Sequence, residues 1–446
     1  MTARSSSTRG GDDDSLTRLF ERVTGDDDSR MCRDISDAAC REQPGNFFRH
    51  LVAALGNKLA DELSNARLIL PWLMGAIGAP VWMVGLLVPI REAGALLPQL
   101  LIAGYIRLRK IRKWVWVAGG VAQAVGAVLL GLLALFGHGS WGGALVLIAL
   151  TGLSLGRGLS SVATKDVMGK TIAKQRRGTL MGWSASAAGA LTLLVGVGLM
   201  LMGDRPGTWA LAVLLFAAAF GWALNALCAA AILEAPGATE GGANAWDSVK
   251  QGISLMRRDR RFLHFNLSRA LLLSSALALP YLALLGQQNS GTDLASLGIL
   301  VLTSGVAGMI GGPIWGRLAD RSSRRVMRNA AIGAALCCVA GAACVLLPEA
   351  ARTSVWPYAV VYGLLMIAHA GIRLGRKTYV VDLSDSDTRA LYVAFSNTFT
   401  GVLMLIVGLL LGVLAQWLGS APLLLLLALL ALAAAASSHA LAEVEA

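Results

Sequence analysis

Stretches with no charged residue recur along this chain. Val115 to Phe136, Ala210 to Leu233, Ala390 to Ala415 and Ala421 to Ser437 carry none. Each is near or above the roughly 20 helical residues that cross a hydrocarbon core of about 30 Å. A soluble chain would show helices that are apolar on one face only. Charges and turn residues cut the sequence into twelve apolar segments: 48–77, 80–106, 114–136, 141–164, 178–202, 208–233, 262–287, 293–317, 326–347, 354–375, 390–417 and 420–440. The expected fold class is an all-α membrane protein with twelve transmembrane helices.

The charged turns repeat. A shift of 212 positions lays Gly104 on Gly316, Arg109 on Arg321, and Arg112 and Lys113 on Arg324 and Arg325. The same shift lays Lys165 on Lys377, Arg177 on Arg389, Ser184 on Ser396 and Gly189 on Gly401. One offset serving separate blocks implies two related halves, and duplicated membrane halves build a site at their interface. The expected organisation is a polar acidic cytoplasmic tail (1–46), a six-helix bundle (47–233), a linker with an amphipathic helix (234–261) and a second, pseudo-symmetric six-helix bundle (262–446).

Basic residues fall on alternate loops. Arg107 to Lys113, Lys165 to Arg177, Lys250 to Arg261, Arg317 to Arg328 and Arg376 to Arg389 hold most of them, and the opposite loops hold only Arg205 and Arg352. Short basic loops stay in the cytoplasm. Twelve crossings then place both termini there, in a membrane read as the bacterial inner membrane. The tail up to residue 46 has no apolar h-region, so the first helix is expected to act as the insertion signal.

Composition agrees. Hydrophobic residues make up 55% of the 446, charged residues 15%, and the mean hydropathy is +0.62. The net charge of +12 is spread over short loops, which is a topology signal and not a nucleic-acid surface. Of six cysteines, four lie in apolar segments, where Cys acts as a small hydrophobe. Cys32 and Cys40 lie in the polar tail without partners at metal spacing. No disulfide, metal or cofactor is expected. The five histidines (His50, His138, His264, His369 and His439) are scattered, which argues against a membrane enzyme. No Walker sequence supports ATP hydrolysis.

The decapeptide Gly316-Arg317-Leu318-Ala319-Asp320-Arg321-Ser322-Ser323-Arg324-Arg325 closely resembles a signature of the major facilitator superfamily, in the loop after the second helix of a half. Ser323 stands where that signature has its second Gly. The first-half copy keeps Gly104, Arg109, Arg112 and Lys113, with Leu108 at the Asp position and Ile111 at the Gly position. Arg176-Arg177-Gly178 resembles the family's loop between helices four and five. The resemblance covers residues 48–440 and implies two bundles that rock about a central cavity. It also implies that Asp320 latches the cytoplasmic side against the start of segment five, near Arg177. At Leu108 the first half has lost its equivalent.

Ionisable groups at membrane depth are costly unless paired or wetted, so they become functional candidates. Arg91 and Glu92 lie eleven and twelve residues past Pro80, near the midplane at 1.5 Å per residue. Two alternatives stand beside a solute role: a structural ion pair between helices, or a turn at Pro89 that puts both charges outside. Lys58, Asp61, Glu62 and Asn65 share one helical face. That stripe faces the cavity, forms a structural Lys–Glu pair, or precedes a segment that starts near Asn65. Arg157, Arg269, His369 and Arg373 complete the solute-binding candidates with Arg91 and Asn65. His369 is also open to a packing role. Glu92, then Asp61 or Glu62, are the proton-coupling candidates.

Guanidinium groups suit carboxylates and phosphates. The expected function is a secondary transporter, acting as a monomer, that moves a small anionic or zwitterionic organic solute coupled to H+. Sodium coupling or none remains open. Alternatives are an exporter of amphiphilic drugs or a non-transporting sensor or assembly protein.

Overall fold

The computed structural model describes residues 37–97, 106, 108–203, 208–237, 245–319, 321–384 and 388–444. Its long elements are helices. In the first half they are α1 (Asp37–Arg41), α2 (Gln43–Leu63), α3 (Ile69–Ala76), α4 (Val81–Leu96), α5 (Lys113–Phe136), α6 (Gly139–Thr171), α7 (Lys174–Leu201) and α8 (Thr208–Ala231). The linker carries α9 (Ala245–Arg258). The second half holds α10 (Arg260–Leu271), α11 (Leu273–Ser290), α12 (Leu294–Ala319), α13 (Ser323–Ala343), the short α14 (Glu349–Arg352), α15 (Trp356–Asp382), α16 (Arg389–Leu418) and α17 (Ser420–His439).

Among the described residues ten helices, with α10 and α11 counted as one, are long and apolar enough to cross a membrane. The other two expected crossings are α2–α3 and α4. Helix α2 is too polar to qualify by composition, and the described part of α4 is 16 residues. The molecule is thus an all-α, multi-span membrane protein with the expected twelve segments. Helix starts repeat close to the sequence offset: Val81 and Leu294, Lys113 and Ser323, Lys174 and Arg389, and Thr208 and Ser420 are 213, 210, 215 and 212 positions apart.

The first segment of each half is broken. Segment one, expected as a single helix, divides at Ser64–Leu68. Asn65 holds the break: its side-chain oxygen accepts from the Arg67 backbone N–H at 2.8 Å, and its amide donates to Glu62 at 3.2 Å. An Asn that bonds its own backbone two residues on offers the chain a turn in place of a helix. Segment seven divides at Leu272, one residue long. Both first segments also end on a left-handed glycine, Gly78 (φ 69°) and Gly291 (φ 96°), a conformation that any side chain would strain.

Segment ten is longer than expected, because α15 runs on to Asp382. Asp385 and Asp387 lie outside the described residues. Cys40 is disulfide-bonded, which corrects the expectation of no disulfide. Missing metal partners argue against zinc and say nothing about a thiol pair; Cys32 lies outside the described residues. Cys228, Cys337, Cys338 and Cys344 are free.

Within each half, small residues let helices touch. A Cβ on Gly56 would meet the Gly221 carbonyl oxygen at 2.7 Å, and one on Gly221 would meet that of Gly56 at 2.8 Å. Trp116 Nε1 donates to Asn225 Oδ1 at 3.0 Å, and Asn225 donates to the Ala53 carbonyl at 2.8 Å, tying α5, α8 and α2 together. The basic loops, the linker and the C-terminal tail share one end of the bundle, called here the basic end. There Tyr392 on α16 donates to Asp259 at 2.8 Å, and Asp259 Oδ1 caps α10 by accepting from Arg261 and Phe262 N–H.

Between the halves the packing is uneven. At the far end Gly298 and Gly305 on α12 press on Met200 and Leu193 of α7, and Gly196 presses on Leu302. Gln287 donates to the Trp72 carbonyl at 2.8 Å, which binds α11 to α3. Toward the basic end the α7–α12 seam parts. A Cβ at Gly308, Gly312 or Gly316, or at Gly178, Gly182 or Gly189, would find no atom within 4 Å. The α4–α16 seam stays shut: Gly412 meets Trp82, Gly408 meets Pro89, and Gly401 meets Leu97 at 3.3 Å.

Candidate functional site

The break in segment one faces the charges of α4 and α6. Asp61, at the end of α2, accepts hydrogen bonds through Oδ1 from both Arg91 on α4 and Arg157 on α6. Arg91 is only 8% exposed and also lies over the Trp222 ring, 5.8 Å from its centroid. Glu92 points elsewhere, as neighbouring residues on a helix must. It receives Arg67 Nη2 at 2.8 Å. Pro89 sits inside continuous α4, so no turn carries Arg91 and Glu92 out of the bundle. Both belong to a paired network, one charge directed at α2 and the other at the break.

Glu62 and Lys58 do not form the pair that their spacing allows. Lys58 donates to the Met181 carbonyl at 3.1 Å. Glu62 is exposed and accepts from Asn65. Among the described residues it is the one carboxylate of the cluster in no salt bridge.

The second half contributes α15. His369, Arg373, Arg376 and Lys377 occupy successive turns of one helical face. His369 is buried, and its Nδ1 lies 3.1 Å from the Ser275 hydroxyl, the packing contact that a lone His predicts. Among the described residues its Nε2 has no hydrogen-bond partner, and neither has Arg376 Nε. Arg373 and Lys377 are exposed and form no salt bridge or hydrogen bond among the described residues. Tyr362 on the same helix donates to the Arg67 carbonyl at 3.3 Å. The two sets of charges interact across the interface: Arg67 and Glu92 act on Arg373, and Arg376 acts on Glu92.

A cavity of about 270 Å³ lies where these groups meet. Arg67, His369, Arg373 and Lys377 line it with Met366, Ala370 and Leu374, and Gly308, Gly311 and Gly312 of α12 form the facing wall. Counting Arg67, Arg91, Arg157, Arg373, Arg376 and Lys377 against Asp61, Glu62 and Glu92, the cluster holds six cations and three carboxylates. A further depression of about 340 Å³ at the far end, lined by Trp82, Leu409, Val413, Gln416 and Trp417, contains no ionisable side chain.

Arg67, Arg376 and Lys377 were not among the sequence candidates. The signal for the last two was present: they follow His369 and Arg373 at helical spacing but were assigned to a loop. Arg269 stands apart from the cavity lining. It is buried between α10 and α16 and donates to Ser396 and Asn397 at 2.7 Å each. No group of three or more metal-ligating side chains occurs among the described residues.

The proposed latch is only partly described. Asp320 and Gly104 lie outside the described residues. Gly316 is half-buried, and Arg321 and Arg325 are exposed. Arg324 binds Glu443 at 2.9 Å, and Arg112 binds Asp166. Lys113 donates to the Ala230 and Ile232 carbonyls at 2.8 Å, and the Arg109 carbonyl accepts from Arg112 at 3.1 Å. Arg177 donates to the Gly169 and Ile172 carbonyls at 2.9 Å, closing the end of α6 in its own half.

A family model described as Major Facilitator Superfamily matches residues 60–372 and again 270–442. A search of curated protein sequences found no match. Among solved structures, the nucleoside transporter NupG superposes with a TM-score of 0.65 at 12% identity, over 89% of this chain and 98% of that one. The xylose transporter XylE from E. coli, in an inward open conformation, gives 0.65 at 12% identity over 89% and 97%. A POT family transporter in complex with a thioalcohol conjugated peptide gives 0.65 at 13% over 88% and 95%. At such identities the superpositions speak for the fold alone.

Proposed function

The chain belongs to the major facilitator superfamily of secondary transporters, not to an enzyme family, and on that premise we propose that it carries a small anionic or zwitterionic organic solute, coupled to protons, by alternating access. The single observation behind the solute class is the excess of cations at the interface of the halves. Arg373 and Lys377 face a cavity with no carboxylate of their own to neutralise them. Uncompensated charge at membrane depth is costly, and an anionic solute removes that cost. An amphiphilic-drug exporter would be better served by a weakly charged cavity walled by large aromatic rings, and the cavity lining contains no Phe, Tyr or Trp.

The proton falls to Glu62. Asp61 serves two guanidinium groups and Glu92 serves Arg67, so both carboxylates are already engaged in ion pairs. Glu62 is exposed and interacts with Arg67 and Arg373, where a solute can displace or recruit its proton. The basic end is assigned to the cytoplasm by its loops, which makes this an inward-facing arrangement in a bacterial inner membrane with both termini inside.

Proteoliposomes with pyranine inside test the coupling. A panel of acetate, lactate, succinate, citrate, phosphate and glycine is added outside, and one or more should move protons with the solute. Glu62→Gln should abolish that signal while leaving exchange of unlabelled for labelled solute. Proton movement undiminished in Glu62→Gln would remove the coupling role, and uptake that follows only a sodium gradient would reassign the ion.

A further inference from the structure

Resting on that reading, we infer that the cargo is a compact dianion, a dicarboxylate or a phosphomonoester, seated on Arg67, His369, Arg373 and Lys377 against a wall of glycine. Three observations converge. The cluster carries three more cations than carboxylates, and the surplus lies on the α15 side, where Arg373 and Lys377 have no salt-bridge or hydrogen-bond partner among the described residues. A monocarboxylate would leave two of the three surplus charges uncompensated, and a zwitterion would leave all three.

His369 provides the second observation. It is 5% exposed, lines the cavity, and has its Nε2 unpartnered while Nδ1 meets Ser275. A buried ring nitrogen without a partner is costly. With Ser275 accepting at Nδ1–H, Nε2 accepts, and it meets a hydroxyl of the cargo. With Ser275 donating, Nε2–H donates to a carboxylate or phosphate oxygen. Either arrangement places a polar group of the cargo beside the guanidinium of Arg373, one helical turn away.

Shape is the third. The cavity of about 270 Å³ is at the small end of ligand pockets. Opposite the cations, Gly308 and Gly312 present backbone with open space where a Cβ would stand. Such a wall has no side chain to recognise an extended or branched body. Specificity therefore comes from charge, and the site suits a short solute with two anionic groups held by planar, bidentate donors.

The test is thermal unfolding of the purified full chain in detergent, at fixed ionic strength. The panel is acetate, glycine, succinate, inorganic phosphate and glycerol phosphate. Succinate or a phosphate should raise the melting temperature with saturation, and acetate and glycine should not. Arg373→Gln and Lys377→Gln, both at exposed positions, should each weaken that response about tenfold or more, as loss of a hydrogen bond to a charged group does. Arg352→Gln at the far end should leave it unchanged. The succinate and phosphate arms separate the two dianion chemistries. Saturable stabilisation by glycine or acetate with none by the dianions overturns the dianion and leaves the transporter reading intact. Silence across the panel, or equal stabilisation of parent and Arg373→Gln, overturns it as well.

Discussion

Glu234 precedes Glu443 by 209 positions, and each carboxylate closes the corner between the second and third segments of its own half. Glu234 accepts from the Arg112 and Lys113 backbone N–H groups at 2.9 and 2.8 Å and from Lys170 Nζ at 2.8 Å. Glu443 accepts from the Ser322 hydroxyl and from Arg324 at 2.9 Å. An acid at the start of α5 is favoured by the helix dipole and by the unpaired N–H groups of its first turn. The first-half signature, which has Leu108 at its acidic position, thus keeps a carboxylate at this corner from beyond its sixth segment.

The two corners differ in exposure, and their stabilities should differ accordingly. The Glu234 side chain is 0% exposed and that of Glu443 35%. Glu234→Ala should cost about 3 kcal/mol, as for a broken buried pair, and Glu443→Ala about 1 kcal/mol or less. Melting temperatures in detergent check this, and equal shifts would refute the asymmetry.

Asp61 holds two arginines, so its loss strands both. Asp61→Asn should destabilise by about 3–5 kcal/mol, because buried Arg91 keeps its charge without its acid. Asp61→Asn with Arg91→Gln should recover part of that loss. A single variant that melts like the parent would show that the triad contributes nothing to stability.

Backbone contact between α2 and α8 leaves no room for a methyl group. Gly56→Ala and Gly221→Ala should each lower the melting temperature, since each new Cβ lies within 2.8 Å of a backbone oxygen that cannot rotate away. The double variant should cost less than the sum, because the first separation makes room for the second. Strict additivity would mean that the helices do not share this contact.

The open side of the cavity predicts labelling from one face. In a background lacking the native cysteines, Gly312→Cys should react with a membrane-impermeant maleimide applied on the side of the basic loops. Ser296→Cys, at a position 7% exposed near the far end of the same helix, should stay unlabelled from either side. Labelling of both from the opposite face would reverse the assigned orientation.

The duplication and the twelve segments were legible because charge-free runs and basic turns survive any rearrangement of packing. So was the placement of Arg91 and Glu92 within the second helix, which needs only the helical run from Pro80. The partners were less accessible. Asp61 meets Arg91 and Arg157 across 30 and 96 residues of sequence, and no local pattern encodes such a distance. Arg67 has no role in the sequence reading, which leaves open whether segment one runs through Asn65 or starts there; an Asn two residues before the Arg is the available signal of a break. Arg376 and Lys377 were assigned to a loop because charge was taken to end a membrane segment. Where a helix borders a wetted cavity, charge lets it continue.

The glycine-lined seam between α4 and α16 stays closed along the described length of α4, while α7 and α12 part toward the basic end. On the proposed alternating-access cycle, motion between the halves resembles a book opening on its spine more than two jaws separating evenly. In that cycle solute enters from one flank, and the residues that travel farthest are those opposite the spine. A tether across α7 and α12 would arrest the cycle, and one across α4 and α16 would scarcely slow it.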